Sequence, residues 1–204
     1  MKATLKRAGR LVVLMVFAAV SLLQAQTDGV VRPRLVLQLT IDGLRADLLA
    51  RQSERFGEGG FRYLLDNGTV YTSAHYQHAN TETIVGHATL STGAQPSVHG
   101  MTGNVWYDAA AGELSYNIED AAHPILPSRA EATTGEQVDP AQRMARTQGR
   151  SPVALLVETL SDRLMVSSGG VAKVFGVSGK DRSAVAMAAT RARRSGTPRI
   201  PVTL

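Results

Sequence analysis

The 204-residue sequence contains no cysteine, a single tryptophan and only 5% aromatic residues. Without cysteine, disulfides, thiolate metal sites and a lipid anchor on a cleavage-site cysteine are all excluded, and an oxidising periplasm poses no redox conflict. Long apolar runs are also missing. The longest, LVVLMVFAAVSLL, is short for a membrane span. It follows Lys2, Lys6, Arg7 and Arg10 and leads to Ala25, the pattern of a secretory signal cleaved after Ala25; a retained anchor is the alternative. Acidic residues are outnumbered, 17 against 22 basic, which invites a nucleic-acid reading. The excess sits at the two ends: four basic residues lie in the signal, and Arg191, Arg193, Arg194 and Arg199 lie in the last stretch. Between Gln26 and Thr190 the remaining 14 basic residues face all 17 acidic ones, a net charge of −3. Nucleic-acid binding loses its support, and the length suits one domain with a real core.

RLVLQLTIDG, Arg34 to Gly43, is β-rich and ends in a carboxylate and a glycine. It predicts a buried strand that delivers Asp42 at its C-terminal tip, the edge where open α/β sheets bind ligands. Helix, loop and short helix are expected up to a turn at Gly68, and TVYTSAHY (69–76) is a second strand candidate. NTETIVGHATLSTG, Asn80 to Gly93, predicts a helix that begins near Thr81–Thr83 and stops at Gly93. NVWYD is short and extended. The stretch from Ala109 to about Arg150 shows no period and reads as an irregular excursion that could carry a lid. SPVALLVETLSDRLMVSS predicts a helix with Ser151 as cap and Pro152 in its first turn. A strand, a turn and a further buried segment follow. No repeats occur, and the alternation predicts an α/β fold with a mostly parallel sheet covered by helices on both faces.

Four places in this order carry chemistry. Asp42 is either a metal ligand or the first residue of an Asp-Gly turn. Thr83 either caps its helix or, beside the unpaired N–H groups and positive dipole end, handles a phosphate. As a nucleophile it needs activation, which a metal-held alkoxide supplies, and Asp42 is the first ligand to look for. Asn104 offers an amide to a phosphoryl oxygen or to its own turn. Lys180 and Arg182, two apart, face the same way in an extended segment and suit an anionic group, or else form a solvated turn. The five histidines, His75, His78, His87, His99 and His123, have no mutual metal-ligand spacing and are read as structural, with His87 packed behind the Thr83 helix.

Taken in series, TIDGLR, TETIVGHATLSTG, HGMTGNVWYD and SGKDRSA resemble the alkaline phosphatase superfamily, in its nucleotide pyrophosphatase/phosphodiesterase-like group. Within that group the likeness is to bacterial periplasmic alkaline phosphatases with a threonine nucleophile. The resemblance implies that Thr83 is the nucleophile and touches metal, that Asp42 is a metal ligand, and that Asn104, Lys180 and Arg182 hold phosphoryl oxygens. It implies two zinc ions per complete enzyme and a phosphothreonine intermediate, with the cationic pair marking a phosphate monoester hydrolase.

The family's other metal ligands, an Asp-x-x-x-His, an Asp-His pair and a distant His, do not follow here. The chain therefore reads as an N-terminal part, 26–188, incomplete at the C-terminus and inactive alone, followed by an atypical tail at 189–204. AATRAR, Ala188 to Arg193, is what a one-base deletion makes of GC-rich codons for the family's Ala-Gly-His-Ala-Gly-Lys, so the tail is expected to be out of frame. The expected partners are small phosphate esters, with no nucleic acid and no membrane after signal cleavage, and the expected location is periplasmic or secreted. The alternatives are a nucleotide pyrophosphatase or phosphodiesterase, and a non-catalytic periplasmic anion-binding module.

Overall fold

The computed structural model describes residues 33–125 and 139–188 and the backbone of 202–203. The signal, most of the tail and part of the excursion lie outside the described residues. The chain divides into two units, Met1–Thr40 and Ile41–Leu204.

In the first unit residues 33–40 form no regular element, and Leu35, Leu37 and Leu39 are each more than 70% exposed. The predicted strand is not formed. A buried strand must join its N–H and C=O groups to a neighbouring strand in a regular ladder, and no strand is assigned to residues 33–40.

The second unit begins with two short helices, α1 (Ala46–Arg51) and α2 (Phe61–Asn67), as expected from the sequence. TVYTSAHY holds a turn at Thr72–Ser73 and otherwise no regular element, not a strand. Next comes α3 (Thr83–Thr92), stopped by Gly93 in the left-handed conformation at φ 68°, where glycine carries no steric penalty. Thr83, Ile84, Val85, Gly86, His87, Ala88 and Ser91 of α3 are all buried. A helix buried on nearly every side is a central one. It packs against α4 (Pro96–His99), α5 (Leu160–Ser167) and above all α6 (Asp181–Ala188). Ile84, Val85, Ala88, Met101, Tyr116, Ile118, Leu155, Val185 and Ala186 make the core.

Among the described residues strands occur in three pairs. β1 (Val105–Asp108) and β2 (Glu113–Tyr116) form an antiparallel hairpin with Val105 opposite Tyr116. β3 (Glu119–Pro124) pairs antiparallel with β4 (Gly149–Arg150) through an irregular register. β5 (Gly176–Val177) pairs in parallel with β6 (Val202–Thr203). A mostly parallel sheet is thus not what the described residues form. The excursion is also less irregular than expected, because its start supplies β2 and β3 and its end supplies β4. Their polar and alanine-rich sequences hide the strand period, and only Tyr116 is buried in β2.

Two helix boundaries shift as well. Ser151 caps nothing helical; α5 starts after Thr159, whose side chain accepts from the Asp162 N–H while Asp162 accepts from the Thr159 N–H. This reciprocal pair fixes the helix start. Asp181 and Arg182 lie in the first turn of α6 rather than in an extended segment. Gly176 in β5 lies so close to α6 that a Cβ there would stand 2.6 Å from the Ala184 carbonyl oxygen.

Candidate active site

Thr83 is the first residue of α3, and Glu82 is its N-cap. The Glu82 side chain makes no capping bond to the helix and accepts instead from the Asn104 backbone N–H. The helix is capped from outside, because Asn104 Oδ1 accepts from the Ile84 N–H at 3.2 Å. That contact fixes the orientation of the amide: Nδ2 is the end left to donate elsewhere. It also releases Thr83 from capping. Its hydroxyl donates to Asp42 Oδ2 at 3.2 Å.

Asp42 sits in an Asp-Gly turn, with Gly43 at φ 73° and the Leu44 N–H reaching the Ile41 carbonyl at 3.4 Å. Turn and site are one feature here. Lys180 Nζ lies 2.7 Å from Asp42 Oδ2 and 3.3 Å from Thr83 Oγ1. Arg182 Nη2 lies 3.5 Å from the same Thr83 oxygen. Asp42, Thr83, Asn104, Lys180 and Arg182 are therefore gathered at one helix mouth, with Lys180 and Arg182 arriving through a helix start rather than an extended segment. The surroundings differ in depth, since Arg182 and Thr83 are buried while the side chains of Asp42 and Lys180 are near 40% exposed.

A cleft of about 310 Å³ opens beside this cluster, lined among others by Asp42, Thr83, Glu82, Tyr76, Gly86 and His87. The Lys180 ammonium holds the Asp42 carboxyl below the usual carboxylate range by hydrogen bond and charge, against the opposing effect of burial. Burial, and then the Asp42 charge, push Tyr76 up, so it faces the cleft as a neutral phenol. His87 Nδ1–H donates to the Thr83 carbonyl at 2.7 Å, which agrees with its structural role. His99 is fully buried and accepts from the Met101 N–H, again structural.

Sequence reasoning missed what stands behind Arg182. Asp139 Oδ1 and Oδ2 accept from Nη1 and Nη2 at 3.0 and 2.9 Å. Tyr116 OH donates to Asp181 Oδ1 at 2.5 Å, and Arg150 Nε donates to Asp181 Oδ2 at 2.7 Å. Asp181, between the two cations in SGKDRSA, is an acid whose neighbours signal a partner; Asp139, in a stretch without period, carries no signal.

Fit to metal is limited. Asp42 and Thr83 are the donors at this mouth, and no group of three or more His, Cys, Asp or Glu residues gathers among the described residues. A zinc centre takes about four ligands, so these residues alone do not make the two-zinc site that the resemblance implies.

The structure matches that of alkaline phosphatase PafA at 32% sequence identity with a TM-score of 0.66, covering 79% of this chain and 28% of that one. A variant of that enzyme with one threonine, one asparagine, one lysine and one arginine replaced matches at 31% identity and the same TM-score. The fold is thus that of the alkaline phosphatase superfamily. Residues 36–165 match the type I phosphodiesterase / nucleotide pyrophosphatase family, and the chain belongs to that family. Among curated relatives, alkaline phosphatase PafA of Elizabethkingia meningoseptica is 35% identical over 161 residues, 78% of this chain and 27% of the relative. Alkaline phosphatase PhoV of Synechococcus elongatus is 33% identical over 156 residues, covering 76% of this chain and 26% of the relative. The chain spans about a quarter of the length of these relatives.

Proposed function

We propose that this chain carries the phosphoryl-accepting part of a phosphate monoester hydrolase, with Thr83 as nucleophile and a phosphothreonine as intermediate. One observation carries the reading: a cation from Lys180, a cation from Arg182 and the carboxylate of Asp42 all converge on Thr83 Oγ1. These groups come from positions far apart in sequence, which a capping threonine would not require. The residue types replaced together in the PafA variant stand at the same separations as Thr83 with Asn104 and Lys180 with Arg182, which supports the assignment.

In this reading the substrate phosphoryl group seats between Lys180 Nζ, Arg182 and the Asn104 amide, in line with Thr83 Oγ1. Thr83 Oγ1 attacks phosphorus as its proton leaves along the hydrogen bond to Asp42 Oδ2 and on to water, and the P–O bond to the leaving group breaks, the departing oxygen taking a proton from water. The two cations oppose the charge on the equatorial oxygens, of which a monoester has more than a diester. Zinc is the cofactor this reading expects, supplying Lewis-acid chemistry when bound. Asp42 and Thr83 would be its donors from this chain, too few alone, and no step here depends on it. The expected location is periplasmic or secreted; no helix among the described residues is long and apolar enough to cross a membrane.

The test is acid-quenched mass spectrometry of the chain after exposure to an aryl phosphate with zinc. Phosphorylation confined to Thr83, lost in Thr83→Ala, is the expected result. Labelling that persists in Thr83→Ala would overturn the assignment. The family description favours a second reading, a phosphodiesterase or nucleotide pyrophosphatase. Labelling by a phosphate diester in preference to the monoester would decide for it.

A further inference from the structure

Arg182 is 1% exposed, so every one of its N–H groups has to be accounted for within the protein or by a ligand. A guanidinium presents two usable edges: the end formed by Nη1 and Nη2, and the side formed by Nε and Nη2. Asp139 occupies the end edge with both carboxylate oxygens, at 3.0 and 2.9 Å. The outer hydrogen of Nη1 is directed to the Tyr116 hydroxyl at 3.5 Å. What remains is the side edge. Nη2 there stands 3.5 Å from Thr83 Oγ1, and the buried Nε has no hydrogen-bond partner among the described residues.

We propose that Asp139 is a positioning residue: by taking the end edge of Arg182 it turns the side edge, Nε–H with Nη2–H, toward two oxygens of the phosphoryl group at Thr83. This rests on the reading of the site given above and adds what aims its arginine. Three features support it. A bidentate carboxylate fixes the guanidinium plane as well as its place, which a single hydrogen bond would not do. Asp139 is itself held, since its Oδ1 accepts from the Ala141 N–H at 3.0 Å, and the Arg182 contact keeps its carboxyl below the usual range, so it stays ionised. The opposite flank is closed by Tyr116, tied to the buried Asp181, which also accepts from the Arg182 backbone N–H at 2.7 Å. Left without Asp139, the same guanidinium could present its end edge to the anion and lose its in-line seat.

The experiment is a double-mutant cycle on the full chain, read by calorimetric binding of inorganic phosphate alongside the thermal midpoint. Asp139→Asn keeps the shape but sets an amide N–H against an arginine N–H. It is expected to weaken phosphate binding by about tenfold, and Arg182→Ala by at least as much, while the double variant binds no more weakly than Arg182→Ala alone. Asp139→Glu, which keeps the bidentate carboxylate, is expected to stay within about threefold of the wild type, and Asp139→Ser, which removes it, serves in place of Asp139→Asn if that variant does not fold. Additive losses in the double variant, or unchanged binding in Asp139→Asn with Arg182→Ala impaired, would overturn the positioning role and leave the phosphate site standing. A wild-type chain that binds no phosphate would overturn the site and the positioning role together.

Discussion

The helix that carries Thr83 and the segment that leads to Asp42 meet opposite fates. In α3, Ile84, Val85 and Ala88 are each 0% exposed, and the helix is surrounded by α4, α5 and α6. In the stretch Leu35 to Leu39 the apolar side chains are as numerous, yet Leu35 and Leu37 are 78% exposed. The same contrast recurs in the second unit, where Val171, Phe175 and Val177 flank the buried start of α6 and are all largely exposed. Apolarity alone does not bury a residue. A helix satisfies its backbone internally and needs only side-chain neighbours, whereas a strand needs partners for its backbone before its side chains can be covered.

The sharpest test of that contrast is stability. Ile84→Ala should cost about 2–5 kcal/mol, because it opens a cavity in the core, whereas Leu37→Ala should fall within about 0.5 kcal/mol. Urea unfolding of both variants checks the pair, and equal losses would mean that Leu37 is buried in solution. Next in size is the outside cap of α3. Asn104→Ala removes the acceptor of the Ile84 N–H and should cost about 1 kcal/mol, measured the same way, with phosphate affinity falling in parallel.

The smallest effect concerns acid. Asp42 is held below its ordinary value chiefly by the hydrogen bond from Lys180, so its contribution to stability is fully present above the unfolded carboxylate value near pH 4. It is lost as the pH falls through the lower folded value. Asp42→Asn lacks that dependence. The gap in thermal midpoint between wild type and Asp42→Asn should therefore be constant from about pH 7 to 5 and shrink below about pH 4. A gap that widened in acid would mean that the carboxyl is raised rather than lowered.

Much of the candidate site can be picked out in the sequence because the chemistry proposed for it depends on residue types that stand out. Asp42 before glycine, Thr83 at a helix start, Asn104 after two glycines and the Lys180/Arg182 pair all signal through local context. Their meeting was not legible from periodicity; it followed from the order of the motifs. The second ring stayed hidden for a different reason. Asp139 and Tyr116 acquire their roles only through contacts made across the fold, and nothing in their neighbours announces them. Fold class was legible in the helices, whose caps and stops are local, down to Gly93. It was less so in the strands: TVYTSAHY has β-forming residues and no partner among the described residues, while the polar β3 pairs through its backbone with β4. Cap chemistry also competes within one stretch. Ser151-Pro152 looks like a helix start, yet Thr159 with Asp162 makes the stronger one.

The closeness of Gly176 to α6 places a constraint where no chemistry occurs. A methyl group there would press on the Ala184 carbonyl and on Ala188, and α6 would have to yield. Since that helix carries Arg182 in its first turn, the reach of a guanidinium toward a threonine oxygen is set partly by the missing side chain of Gly176.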